Sequence, residues 1–180
     1  MLKLENQTVA RLRDRLKEKG ERPSLFATDL SALKQASVPA DVLLRFDALC
    51  EVMFLMASAD GKVSPEEEDI LRGAIREISE GNVRSQHIRS MMEGAQGRLA
   101  KEGLEARIKA VAGKLHDDDA SADAAFVLAA AVAFADDQIA DEENEVLNQL
   151  AEALGMDAEH AEHLLDELQA ESEAAAPLAR

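Results

Sequence analysis

The stretch ASADGKVSPEEEDIL, residues 57–71, returns 76 residues further on as AFADDQIADEENEVL, residues 133–147. Six of the fifteen paired positions are identical, and Val63/Ile139, Asp69/Glu145 and Ile70/Val146 differ conservatively. The same register continues without a gap to Ile78/Leu154 and His87/His163. Self-similarity at one fixed separation points to a duplicated supersecondary unit. Each copy is preceded by a strongly apolar segment and followed by residues of helical periodicity, so the unit reads as helix–loop–helix–helix.

The flanking segments set the architecture. From Ala40 to Ala59 the chain is almost continuously apolar, with Val42, Leu43, Phe46, Leu49, Val52, Met53 and Met56 forming a broad face, and Ala124 to Ala135 is its counterpart. A helix that is apolar all round belongs in an interior. These two are therefore expected to pack against each other in one bundle, with an approximate twofold relation between the halves. Further helices are predicted from Ser64 or Pro65 to about Gly81, over 84–99 and 103–115, from Glu142 to Leu154 and from Asp157 to Leu168, with a polar patch from His116 to Asp123 between the halves. No strand-like alternation occurs, and the fold class is all-α. The main domain is assigned to residues 39–168, its halves to about 40–99 and 121–168. Residues 1–38 form a basic N-terminal extension in which Leu4, Val9, Leu12 and Leu16 make an amphipathic helix among Arg11, Arg13, Arg15, Lys17 and Lys19. The Ala- and Glu-rich end, residues 169–180, is expected to fray.

Composition agrees with a soluble helical domain: 180 residues, 47% hydrophobic, 31% charged, and only 9 glycines and 4 prolines. No apolar run approaches the roughly 20 residues that span a bilayer, and Met1-Leu2-Lys3-Leu4-Glu5 leads into charge, so a cytoplasmic location is expected. The single cysteine, Cys50, excludes an internal disulfide and sits in apolar surroundings that suit a buried, inert thiol. The net charge of −16 is unevenly spread: residues 1–35 carry +3, residues 36–115 carry −2 and residues 116–180 carry −17. So acidic a final third repels phosphate backbones, and nucleic acid is not an expected partner there. Cations and a protein partner of basic character are.

Within each repeat the acids Asp60 and Glu67, and Asp136 and Glu143, flank a short turn. Carboxylates gathered from a turn and the start of the next helix are a common oxygen supply for hard divalent cations. The spacing matches the second half of an EF-hand loop, but Met56 and Ser58, and Val132 and Phe134, stand where its first ligands belong. A calcium-sensing EF-hand is not expected. A purely structural alternative is open: Ser64, Pro65 and Glu67 have the order of a capping box. In the second copy Ala140 replaces the serine, which leaves Glu143 without a hydroxyl partner. Either a shared cation or the favourable field of a helix N-terminus accounts for it.

The segments MASADGKVSPEEEDIL and AFADDQIADEENEVLNQLAEALGM resemble the two signature segments of the TerB-like tellurite-resistance family, whose duplicated all-helical domains also occur at the head of some DnaJ-type cochaperones. The resemblance covers roughly residues 40–168. It implies a bundle of about seven helices, a stress-response setting, and divalent-cation binding by acids near the turns, here Asp60, Glu67, Asp136 and Glu143. Calcium, magnesium, manganese or zinc fits such a donor set. The second segment departs from the pattern at Asp137, where the family has glycine.

Other signals carry less. His160 and His163 lie three apart near Asp157, Asp166 and Glu167, a set compatible with zinc or nickel and equally with a solvated helix face. Ser31-x-x-Lys34 lacks the companion motifs of acyl-transfer enzymes, and no phosphate-cradling glycine loop, nucleophile elbow or His-Glu-x-x-His occurs. The chain is accordingly read as non-enzymatic: either a cation-binding module that recruits a protein partner, or a metal-independent helical scaffold whose acids cap helices. Its basic first helix docks on anionic lipid, on an acidic surface, or simply by its apolar stripe. The last is the simpler arrangement, because no aromatic side chain anchors that helix to a membrane interface.

Overall fold

The computed structural model describes residues 40–79, 83–136 and 140–175, with the side chains of 40–43, 136 and 171–175 excepted. The N-terminal extension, the second turn at 137–139 and the last five residues lie outside the described residues. Among the described residues there are seven α-helices and no strand. They are α1 (Ala40–Ala57), α2 (Pro65–Ile78), α3 (Ser85–Glu102), α4 (Leu104–Ala112), α5 (Asp119–Ala133), α6 (Asp141–Ala153) and α7 (Ala158–Ala175), with a short 3₁₀ turn, Phe134–Asp136, after α5.

The apolar helices α1 and α5 form the centre and make the most extensive contact of any pair. Every residue of α1 from Ala48 to Ala57 is buried, as is every residue of α5 from Ala124 to Ala133. Six of those ten α5 residues are alanine, which lets the α1 backbone approach while Phe126, Leu128 and Val132 fill the remaining volume. The amphipathic helices pack around this pair. α3 and α4 lie against α1, α7 lies against α5, and α6 bridges α4 and α5.

The duplication is visible in the helix boundaries. α1 ends at Ala57 and α5 at Ala133, while α2 begins at Pro65 and α6 at Asp141. Both steps are 76 residues, and the spacing persists into the third helix of each set, where Ile88/Leu164 and Met92/Leu168 are buried in pairs. α4 links the two sets.

Some boundaries differ from the sequence reading. α5 begins at Asp119, five residues before the apolar run. The polar residues taken as a separator are its first turn: Asp118 is extended (φ −134°, ψ 103°), and its carboxylate accepts hydrogen bonds from the Ser121 hydroxyl and, at 3.3 Å, from Arg45 on α1. Acidic side chains are favoured at that end of a helix. α7 runs to Ala175, seven residues past Leu168, the last apolar residue of its buried stripe. Alanine and glutamate are strong helix formers, and they carry the helix past its buried stripe.

One carboxylate interrupts the apolar interior. Glu51, in the middle of α1, is 1% exposed. Arg98 of α3 donates to it from Nε at 3.1 Å and from Nη2 at 2.7 Å, and Arg107 of α4 donates from Nε at 2.8 Å. Arg107, itself 6% exposed, also donates from Nη1 to Glu102 at 2.9 Å, and Arg98 lies 3.6 Å from Asp47. The hydrogen bond to Glu51 raises the Arg107 pKa, against the opposing effect of burial. Gly103 makes this convergence possible. It is the single residue between α3 and α4, and its φ of +82° turns the chain sharply in a region that L side chains rarely enter. Among the described residues, no buried side-chain nitrogen or oxygen is left without a hydrogen-bond partner.

Two predictions follow from the interior. Replacing Glu51 by valine, the residue at position 127 in the second half, leaves the buried Arg107 guanidinium without its main acceptor. Equilibrium urea unfolding should show a loss of about 3–5 kcal/mol. Cys50 is 4% exposed, and burial, reinforced by Asp47, pushes its thiol well above the ordinary value. Thiolate is therefore scarce at neutral pH. Ellman's reagent should react with Cys50 at the rate of global unfolding in native buffer and within the mixing time in denaturant.

Candidate acidic turns

The first turn is built from local hydrogen bonds. α1 closes with the Ser58 hydroxyl donating to the Phe54 carbonyl at 2.7 Å, and the Gly61 N–H returns to the Ser58 carbonyl at 2.9 Å. Gly61 has a φ of +97°, a conformation that costs an L side chain strain even though nothing crowds the position. Asp60 is exposed, and its Oδ1 accepts from the Lys62 N–H at 3.1 Å. At the start of α2 the capping box is complete. The Glu67 N–H donates to Ser64 Oγ at 3.2 Å, and the Ser64 N–H donates to Glu67 Oε2 at 2.7 Å. Pro65 occupies the first helical position, where a missing N–H costs nothing.

The second turn repeats half of this arrangement. Ala140 has φ −70° and ψ 157°, against −72° and 159° for Ser64, so the two chains enter their helices with the same backbone geometry. Glu143 Oε2 accepts from the Ala140 N–H at 2.9 Å. The alanine has no oxygen with which to return a bond to the Glu143 N–H. The absence of a hydroxyl at 140 had left Glu143 in need of another reason, and capping the Ala140 amide supplies one. Asp136 ends the 3₁₀ turn; its side chain and Asp137 lie outside the described residues.

Of the four candidate acids, the structure thus places Glu67 and Glu143 on the backbone amides that precede their helices, and Asp60 on a turn amide. Among the described residues, no group of three or more His, Cys, Asp or Glu side chains is arranged to hold a metal ion. The histidines of α7 diverge. His160 Nε2 lies 2.8 Å from Asp123 Oδ1 on α5, and its backbone N–H donates to Asp157 Oδ1 at 2.8 Å. His163 Nδ1 is 3.9 Å from Glu167 on its own helix. His87 is exposed on α3.

Two charged constellations went unnoticed in the sequence. Glu51 stands in the most apolar part of its segment, between Leu49-Cys50 and Val52-Met53, and Val127 holds its place in the repeat. Arg72 and Arg76 sit four apart on α2, one helical turn, and Arg89 on α3 faces them across a cleft.

The family described as Tellurite resistance protein TerB matches residues 46–166. That is about two thirds of the chain and includes both turns, and the protein belongs to the TerB family. Neither the curated proteins nor the solved structures yield a match. No helix among the described residues is long and apolar enough to cross a membrane.

The half-finished cap gives a direct test. Ala140→Ser restores the missing acceptor and should stabilise the fold by about 1 kcal/mol, while Ser64→Ala should cost a similar amount. Thermal melts should show shifts of roughly 2–4 °C in opposite directions.

Proposed function

We propose that the chain is a non-catalytic binding module of the TerB family, in which the paired acidic turns frame the helices and the acidic final third receives a basic protein partner. The observation that carries the first part is the use already made of the turn carboxylates. Asp60, Glu67 and Glu143 each accept a backbone N–H that would otherwise lack an acceptor at a turn or helix start. The second part rests on charge. Residues 116–180 carry −17, and α5, α6 and α7 display Asp119, Glu142, Glu145, Glu159 and Glu162 as exposed side chains. The family is not generally known as one of enzymes, and a cytoplasmic role in a stress response belongs to the same proposal.

A second reading assigns the same turns a divalent cation, whether calcium, magnesium, manganese or zinc. The recurrence of Asp60/Glu67 as Asp136/Glu143 favours it, since caps alone do not require the turn aspartate to be repeated. The two readings separate on one variant. Glu67→Gln with Glu143→Gln keeps a carbonyl oxygen for each amide, and glutamine serves in a capping box as glutamate does. It removes the charge that a hard cation needs.

Metal-stripped protein should therefore melt at the same temperature, within about a degree, with and without each cation at millimolar concentration and constant ionic strength, and the double variant should match it. A ligand at a hundred times its dissociation constant would instead stabilise by about 2.7 kcal/mol. A saturable rise of that kind in the parent protein, absent from the double variant, transfers the turns to the cation reading and names the ion.

A further inference from the structure

The described surface holds a cleft between α2 and the start of α3, about 360 Å³ in volume, that the acidic turns do not involve. Arg72 and Arg76 line it from α2, Arg89 and Ser85 from α3, and Gly73 and the buried Ile88 contribute to its wall. Three arginines around one cavity are unusual in a chain of net charge −16. One acid, Asp69, shares this cavity and is ion-paired with Arg72; Glu68 and Glu93 line the adjoining groove, beside Arg72 and Arg89. Arg76 and Arg89 are exposed. The α3 N-terminus at the cleft has no side-chain cap and, unlike those of α2, α4, α5, α6 and α7, no acid in its first turn.

The duplication provides an internal comparison. The positions 76 residues on from Arg72, Arg76, Ser85 and Arg89 are Asn148, Glu152, Ala161 and Leu165. The second half thus keeps the helix pair and its buried Leu164, opposite Ile88, but none of the arginines.

We propose that this cleft binds a compact phosphate or diphosphate group carried by a small molecule. Guanidinium forks match phosphate oxygens in pairs, and backbone N–H groups at a helix start add a favourable field for the same charge. The volume admits more than the anion alone, and Gly73 and Ile88 give the remainder of the ligand an apolar wall. The site is independent of both readings of the acidic turns, and its test is run without divalent cations.

Isothermal titration of metal-stripped protein with pyrophosphate, at constant ionic strength, should give saturable binding with a dissociation constant near or below about 1 mM. Arg76→Ala with Arg89→Ala should weaken it roughly tenfold or more. Ser85→Glu should abolish it while leaving the melting temperature unchanged or higher, because a carboxylate suits the first turn of α3 and repels the anion. Lys114→Ala, an exposed charge on another part of the fold, should bind as the parent does. Absence of saturable binding overturns the proposal, as does equal binding by the parent and by the Arg76/Arg89 and Ser85 variants.

Discussion

Burying a carboxylate in an apolar interior is costly unless its charge is matched and its oxygens are filled, and Glu51 meets both conditions only in one arrangement of helices. Arg98 reaches it from α3 and Arg107 from α4, and the second arginine arrives because Gly103 turns the chain back after α3. Apolar packing alone tolerates small slides of one helix along another. An ion network of fixed geometry does not, since a displaced guanidinium leaves a buried charge without a partner. Glu51 therefore sets the placement of α3 and α4 on α1, and α4 in turn supports α6.

The two halves share a frame and differ in chemistry. The ends of α1 and α5, the starts of α2 and α6, the backbone angles of Ser64 and Ala140, and the buried residues of the third helices keep the 76-residue step. The side chains that carry charge do not. Glu51 faces Val127 in the repeat, the arginines of the α2–α3 cleft face Asn148, Glu152 and Leu165, and the completed cap at Ser64 faces a half cap at Ala140. With the apolar pairs shared, a duplicated scaffold is free to vary its charged positions, on its outer faces and, at Glu51, within. Here the first half has kept both signs, while the second has become almost wholly acidic.

Much of this was legible in the sequence, for physical reasons that can be named. The buried α1–α5 pair announced itself because a helix apolar all round has nowhere else to go. The start of α2 was legible because Ser64, Pro65 and Glu67 are each suited to one position of a helix N-terminus. The start of α5 was misplaced because the polar patch from His116 to Asp123 was set apart from the apolar run, although residues such as Asp118, Asp119 and Ser121 also begin helices. The partners of Glu51 were not legible at all. Arg98 and Arg107 lie 47 and 56 residues away, and only the tertiary arrangement of α3 and α4 brings them to one carboxylate. Glu143 shows a subtler limit: its role as a cap depends on the backbone angles of Ala140, which a side-chain pattern does not disclose.

The uneven charge, modest through α1 to α4 and strongly negative from α5 onward, makes the molecule an electric dipole as well as an anion. In the field of a cationic surface such a body experiences a torque at separations comparable to the Debye length, about 8 Å at physiological salt. It rotates before it touches. Encounters with positively charged partners are thereby biased toward the α6 and α7 side, so that orientation is selected during approach and the contact itself has less searching to do.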